Sequence, residues 1–152
     1  QDIHLFGRTI KQNIVGIHKF IDDEWMLECS KTSGTDEFVR MHPAGYDMPL
    51  GERGAGLSGG QRQSVGIARA LINNSDIWMF DEPTNAMDQT SESIVLNNLM
   101  SKIEGKTLLL VTQKMSMVDL VDRIIVMNFG TKVLDGPKDE IINKLGNSGE
   151  KQ

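Results

Sequence analysis

Three short apolar runs constrain what this 152-residue chain can become. They lie at residues 76–80, 107–112 and 123–127, and each is continuous rather than alternating. Such runs suit strands covered on both faces, as in a parallel sheet. Helical patterns fill the gaps between them, at residues 60–72 and 90–102. Strands alternating with helices read as α/β. Phe129 and Gly130 signal a turn into a short strand at 132–135. Pro137 is placed to open a last helix through about Leu145. The polar residues 146–152 are expected to fray.

Residues 9–47 have a different, helical character. Ile10, Ile14, Ile17, Phe20 and Ile21 recur at three- and four-residue steps, and Trp25, Met26 and Cys29 extend that face. Thr35, Asp36 and Glu37 are suited to cap and charge a further short helix through Phe38 and Val39, which Pro43 and Gly45 would end. By length the chain is one domain, large enough to bury roughly 70% of its unfolded surface. The net charge of −5 argues against a nucleic-acid surface built on bulk charge. Cys29 is the single cysteine, so no internal disulfide forms; a reducing compartment and an inert thiol are expected. No apolar run approaches the roughly 20 residues that span a bilayer. The first residues carry no signal-peptide pattern, and a start at Gln1 suits a chain that begins inside a longer protein.

Two stretches carry chemistry. Leu57-Ser58-Gly59-Gly60-Gln61-Arg62-Gln63 stands at the mouth of a helix. Amides at a helix start lack intrahelical partners, and the helix dipole places about half a positive charge there. Two glycines remove Cβ atoms, so an anion can approach the backbone, and the Ser58 hydroxyl adds a donor. Phosphate is the usual occupant of such a pocket. The plainer alternative is a serine N-cap beside a tight turn. The second stretch, Ile77-Trp78-Met79-Phe80-Asp81-Glu82, is an apolar strand ending in two carboxylates. Sheets of this class place their chemistry at strand C-termini. Asp81 suits Mg²⁺ and Glu82 suits a water-polarising base; two solvated acids at a strand end are the plainer alternative.

In sequence these stretches resemble motifs of ABC-type ATPases. Leu57 to Gln63 is similar to the signature motif, and Ile77 to Glu82 to the Walker B strand with its glutamate. Asn85-Ala86-Met87-Asp88 resembles the D-loop. Gln1-Asp2, with Leu5-Phe6 and Thr9 to Ile14, resembles the Q-loop and the helix beyond it. Gly51-Glu52-Arg53-Gly54 resembles the loop that touches the membrane domains in exporters. The strings Glu-Phe-Val-Arg, Gly-Tyr-Asp and Asp-Leu-Val-Asp-Arg-Ile-Ile-Val point to the ATPases of bacterial type I secretion exporters.

The resemblance implies a partial P-loop NTPase fold. Residues 1–8 would form the Q-loop region, 9–56 the helical subdomain, 57–146 the signature helix and later half of the catalytic core, and 147–152 a tail. ATP would contact Ser58, Gly59, Gly60, Gln61 and Asp88; Gln1 and Asp81 would serve Mg²⁺; Glu82 and Gln113 would be catalytic. The expected partners are a second nucleotide-binding domain, head to tail, and a membrane-spanning domain reached through the Q-loop and the Gly51–Gly54 loop. The expected location is the cytoplasmic face of the inner membrane, with no nucleic acid bound.

Two departures from the family pattern stand out. The sequence holds no G-x-x-x-x-G-K-[ST], the Walker A phosphate cradle, and the switch position that is usually histidine is Gln113. Loss of three charge-assisted hydrogen bonds, at roughly 1.5–3 kcal/mol each, removes roughly 5–9 kcal/mol of phosphate binding. The chain by itself is therefore expected to bind ATP poorly. One alternative is a non-catalytic partner that donates only its signature face. A DNA-repair or chromosome-type ATPase is a weaker alternative: Pro83-Thr84 follow the acids, Ser58 and Asp81 are only 23 positions apart (81 − 58), and coiled-coil heptads are absent.

Overall fold

The computed structural model describes residues 3–18 and 20–149. Where length alone suggested one domain, the chain forms two compact units, Gln1–Thr112 and Gln113–Gln152. Strand pairing explains the division, since each two-stranded sheet closes within its own unit.

In the first unit α1 (Ile10–Val15) starts at a capping box: Gln12 N–H donates to Thr9 Oγ1 at 3.2 Å, and Thr9 N–H donates to Gln12 Oε1 at 3.1 Å. Gly16 ends it at φ 62°, and α2 (Asp23–Thr32) restarts behind the N-cap Asp22. The continuous apolar face expected through this region is therefore broken. Ile17 and Phe20 lie in the connection and are almost fully exposed. After α2 comes α3 (Thr35–Val39), whose N-cap is Gly34 in the left-handed region rather than a threonine side chain. Short 3-10 turns follow at Gly45–Asp47 and Glu52–Gly54.

The long helix α4 (Gly59–Leu71) is the unit's centre. It packs against α1, α2 and α3 and buries Val65, Ile67, Ala68 and Leu71. Burial of Val65, Ile67 and Leu71 contributes about 1.5–3 kcal/mol each, and that of Ala68 less. Two strands, β1 (Ile77–Asp81) and β2 (Thr107–Val111), pair in parallel with Ile77 opposite Thr107 and Asp81 opposite Val111. Helix α5 (Gln89–Met100) connects them and buries Val95 and Leu99.

Burial of both sheet faces was expected, and one face is instead bare. Trp78 and Phe80 turn inward, while Ile77, Met79, Leu109 and Val111 are 62%, 72%, 53% and 56% exposed. The helices of this unit supply apolar side chains to one side of the two strands and leave the other uncovered.

In the second unit a 3-10 segment, Met115–Leu120, precedes β3 (Arg123–Asn128) and β4 (Thr131–Pro137). These strands form an antiparallel hairpin, so the run at 123–127 is not a parallel strand within this unit. Phe129 and Gly130 both take positive φ, 44° and 75°, the geometry of a two-residue hairpin turn. Pro137 is the last residue of β4, and α6 (Lys138–Gly149) begins immediately after it. Fraying was expected from 146, yet the helix continues through Gly146. Ile141 anchors α6 and is completely buried.

Candidate functional site

Ser58 is the N-cap of α4. Its Oγ accepts from Gln61 N–H at 3.1 Å, while Ser58 N–H donates to Gln61 Oε1 at 2.9 Å. The plainer reading of this serine, a helix cap, is therefore correct locally. The hydroxyl proton remains to donate elsewhere. A cavity of about 240 Å³ opens beside it, lined by Ser58, Gly60, Gln61, Ala86, Asp88 and Ser91 among others. The adjacent glycines have a packing reason as well as the expected electrostatic one. A Cβ on Gly59 would lie 3.0 Å from Ala86 Cβ, and one on Gly60 would lie 3.1 Å from the Ala86 carbonyl oxygen. The start of α4 thus rests directly on the turn that follows β1.

That turn begins at the two carboxylates. Asp81 ends β1 and is exposed. Glu82 takes φ 44°. A left-handed conformation at a non-glycine costs about 1–3 kcal/mol and persists where neighbours over-determine it. Here Glu82 N–H donates to Val111 O at 2.9 Å, and Thr112 Oγ1 approaches Glu82 Oε2 at 3.4 Å. Asn85 N–H donates to Glu82 O at 3.3 Å, and Met87 N–H to Thr84 O at 3.1 Å. Asp88 then caps α5. Its carboxylate accepts from the N–H groups of Ser91 and Thr90 and from Ser91 Oγ at 2.7 Å. These bonds, those from Ser91 foremost, lower its pKa below the ordinary aspartate range.

Gln63 closes the signature-like stretch in sequence but carries no site role there, and the structure places it at the centre of this arrangement. It is buried on α4, its Nε2 donates to Glu82 O at 3.3 Å, and its Oε1 accepts from Ala86 N–H at 2.8 Å. Those partners are 19 and 23 residues away. The available signal was a glutamine on the same buried stripe as Ile67.

Helix α4 also holds the described part of the expected Q-loop region and α1. Arg69 donates through Nε to Asn13 O at 2.7 Å, through Nη1 to His4 O at 3.0 Å and through Nη2 to Asn13 Oδ1 at 3.1 Å. Its guanidinium lies 5.9 Å from the centre of the Phe6 ring. Gln1, assigned to Mg²⁺, lies outside the described residues. Gln113 is exposed and opens the second unit, two positions beyond β2. In the Gly51–Gly54 loop Arg53 takes φ 56° and Gly54 is buried. Cys29 is buried, and desolvation pushes its thiol up to about 12, as suits an inert residue.

Among the described residues no group of three or more His, Cys, Asp or Glu side chains could hold a metal ion. One exposed aspartate at a strand end does fit Mg²⁺, which commonly takes one or two carboxylates and completes its shell with water and substrate phosphate.

The ABC transporter family profile matches residues 1–85. This chain belongs to the ABC transporter family. The chain is 41% identical over 142 residues to a leukotoxin translocation ATP-binding protein of Mannheimia haemolytica, and 39% identical to a leukotoxin export ATP-binding protein of Aggregatibacter actinomycetemcomitans. Each alignment covers 93% of this chain and 20% of the relative, so the chain spans about a fifth of the length of those relatives. A bacterial Atm1-family ABC exporter with ATP bound superposes with a TM-score of 0.88 at 30% identity, over 95% of this chain and 25% of that one. The ABC ATPase fold thus accounts for the helices around α4 and for the parallel pair β1–β2.

Proposed function

We propose that this chain is the helical subdomain and later catalytic half of an ATPase that drives an ABC exporter of the type I protein-secretion class. The observation that carries this reading is the joining of two chemical elements: the amide-rich start of α4 packs on the turn that begins at Glu82. The names of the relatives, which specify leukotoxin translocation and export, favour a secreted protein as cargo. On this reading Ser58, Gly59, Gly60 and Gln61 face the phosphates of ATP held by a second nucleotide-binding domain, packed head to tail, and Asp88 borders the same face. Glu82 accepts the proton of the attacking water. Asp81, with Gln1, holds Mg²⁺, which neutralises phosphate charge when bound. Gln113 donates an N–H to a phosphate oxygen but cannot titrate near neutral pH as histidine would. The Gly51–Gly54 loop and the Q-loop segment meet the membrane-spanning domain, and the assembly works at the cytoplasmic face of the inner membrane.

The test uses the parent exporter. Glu82→Gln should lower kcat for ATP hydrolysis by about 10²- to 10⁴-fold and stop export, with KM little changed. A kcat equal to wild type would remove Glu82 from the chemistry. A second reading, a partner that donates only its signature face, is favoured by Gln113 at the switch position. It predicts that the parent carries no Walker A loop and hydrolyses ATP only when paired with a competent domain.

A further inference from the structure

Gln63 spans two points of the catalytic turn with a single side chain. Both ends of its amide are engaged, one on the Glu82 carbonyl and one on the Ala86 N–H. These two bonds bracket residues 82–86, the segment that carries Glu82 in its left-handed conformation. The same side chain leaves α4 two residues after Gln61, the partner of Ser58 in the capping box. Gly59 and Gly60 bring Ala86 and Met87 against the first turn of that helix.

We propose that Gln63 is a positioning residue for hydrolysis, holding the Glu82 backbone so that its carboxylate meets the attacking water and making that placement follow the first turn of α4. This rests on the ATPase reading of Glu82. The amide matches the task. Its donor faces a carbonyl and its acceptor faces an N–H, so the pair fixes both position and orientation of the turn. A leucine of similar volume fills the space and makes neither bond. A glutamate retains the acceptor for Ala86 and loses the donor for Glu82.

The experiment measures kcat and KM for ATP in the parent exporter carrying Gln63→Leu, Gln63→Glu, Glu82→Gln and each double substitution. Displacement of a catalytic group by about an ångström costs up to about 100-fold. Gln63→Leu is therefore expected to lower kcat by about 10- to 100-fold with KM within about threefold. Gln63→Glu is expected to fall by at least about tenfold, because the bond to Glu82 itself is lost. In the Glu82→Gln background neither substitution should reduce the residual rate further, since the group they position is gone. A general packing defect would instead cost the same factor in both backgrounds. That result, or a kcat within twofold of wild type for Gln63→Glu, overturns the proposal. If Gln63→Leu does not fold, the Gln63→Glu cycle decides alone. A Glu82→Gln exporter with undiminished kcat overturns the ATPase reading of Glu82, and this inference with it.

Discussion

Gly60 and Ala86 meet so closely that a Cβ on Gly60 would stand 3.1 Å from the Ala86 carbonyl oxygen and 3.3 Å from the Met87 Cα. Neither neighbour is a flexible side-chain end, so relief requires the backbone turn itself to move. Overpacking of this kind costs about 1–3 kcal/mol. Gly60→Ala should therefore destabilise the protein by about 1 kcal/mol after a small gain in helix propensity, and should lower kcat by displacing the turn that carries Glu82. Gly146→Ala supplies the contrast. That glycine is exposed within α6 and a Cβ there meets nothing within 4 Å, so the substitution should stabilise by up to about 1 kcal/mol. Thermal melts of the two variants, with ATP turnover for the first, check the opposite signs.

Asn13 offers a second, sharper test. It is 1% exposed, yet its side chain accepts from Phe6 N–H at 2.9 Å and donates to Phe6 O and Thr9 O, both at 3.0 Å. Arg69 Nη2 also donates to Asn13 Oδ1. Asn13→Leu keeps the branched shape and removes the side-chain partner of the part-buried Phe6 N–H and Phe6 O at once, while Thr9 O keeps the backbone N–H of residue 13. Such loss costs about 1–3 kcal/mol for each group left unsatisfied. We expect a total near 3 kcal/mol, with faster hydrogen exchange at Phe6. A melting temperature within a degree of wild type would show that the segment is held by other contacts.

The elements of the fold were legible where local signals agreed. The runs that became β1 and β2, the helix after Ser58 and the turn at Phe129-Gly130 all stand within a residue or two of expectation. The helix expected to run on past Val15 does not, because Gly16 adopts positive φ and Asp22 recaps the chain. Ile17 and Phe20 keep helical spacing in sequence but occupy the connection. The site was legible as motifs and incomplete as geometry. Ser58, Asp81 and Glu82 could be picked out because their neighbours signal a helix start and a strand end, whereas Asp88 stood out only through the family resemblance of residues 85–88, and its capping of α5 came from the structure. Gln63 could not, since its role depends on two partners brought together only by folding.

The bare sheet face predicts behaviour of the chain in isolation. Ile77, Met79, Leu109 and Val111 lie side by side across β1 and β2, each more than half exposed. Contiguous apolar surface of this kind drives association. The purified 152-residue chain should bind an apolar dye strongly and elute from size exclusion as aggregates. The pair Met79→Lys with Leu109→Lys should reduce both signals at least severalfold. A cooperative, reversible, monomeric unfolding transition of the unsubstituted chain would contradict the expectation.

The β3–β4 hairpin carries a pH-dependent element of its own. Asp135 accepts from Arg123 Nε and from Lys132 Nζ, each at 2.9 Å, and these bonds, Arg123 first, hold its carboxyl down to about 2. An unfolded aspartate titrates near about 3.9. Because the folded value is the lower one, the ion pairs contribute fully above about pH 4 and are lost as pH falls through about 2. Within that window acid favours opening of the hairpin. Both cations are largely exposed, so the effect is modest and weakens further with salt. Amide hydrogen exchange in β3 and β4, compared between wild type and Asp135→Asn from pH 5 to pH 2, should show protection that declines more steeply in the wild type. The carboxyl carbon of Asp135, followed by NMR, should titrate well below the ordinary aspartate value of about 3.9. A midpoint near 4 would mean that the two cations do not hold the carboxylate in solution.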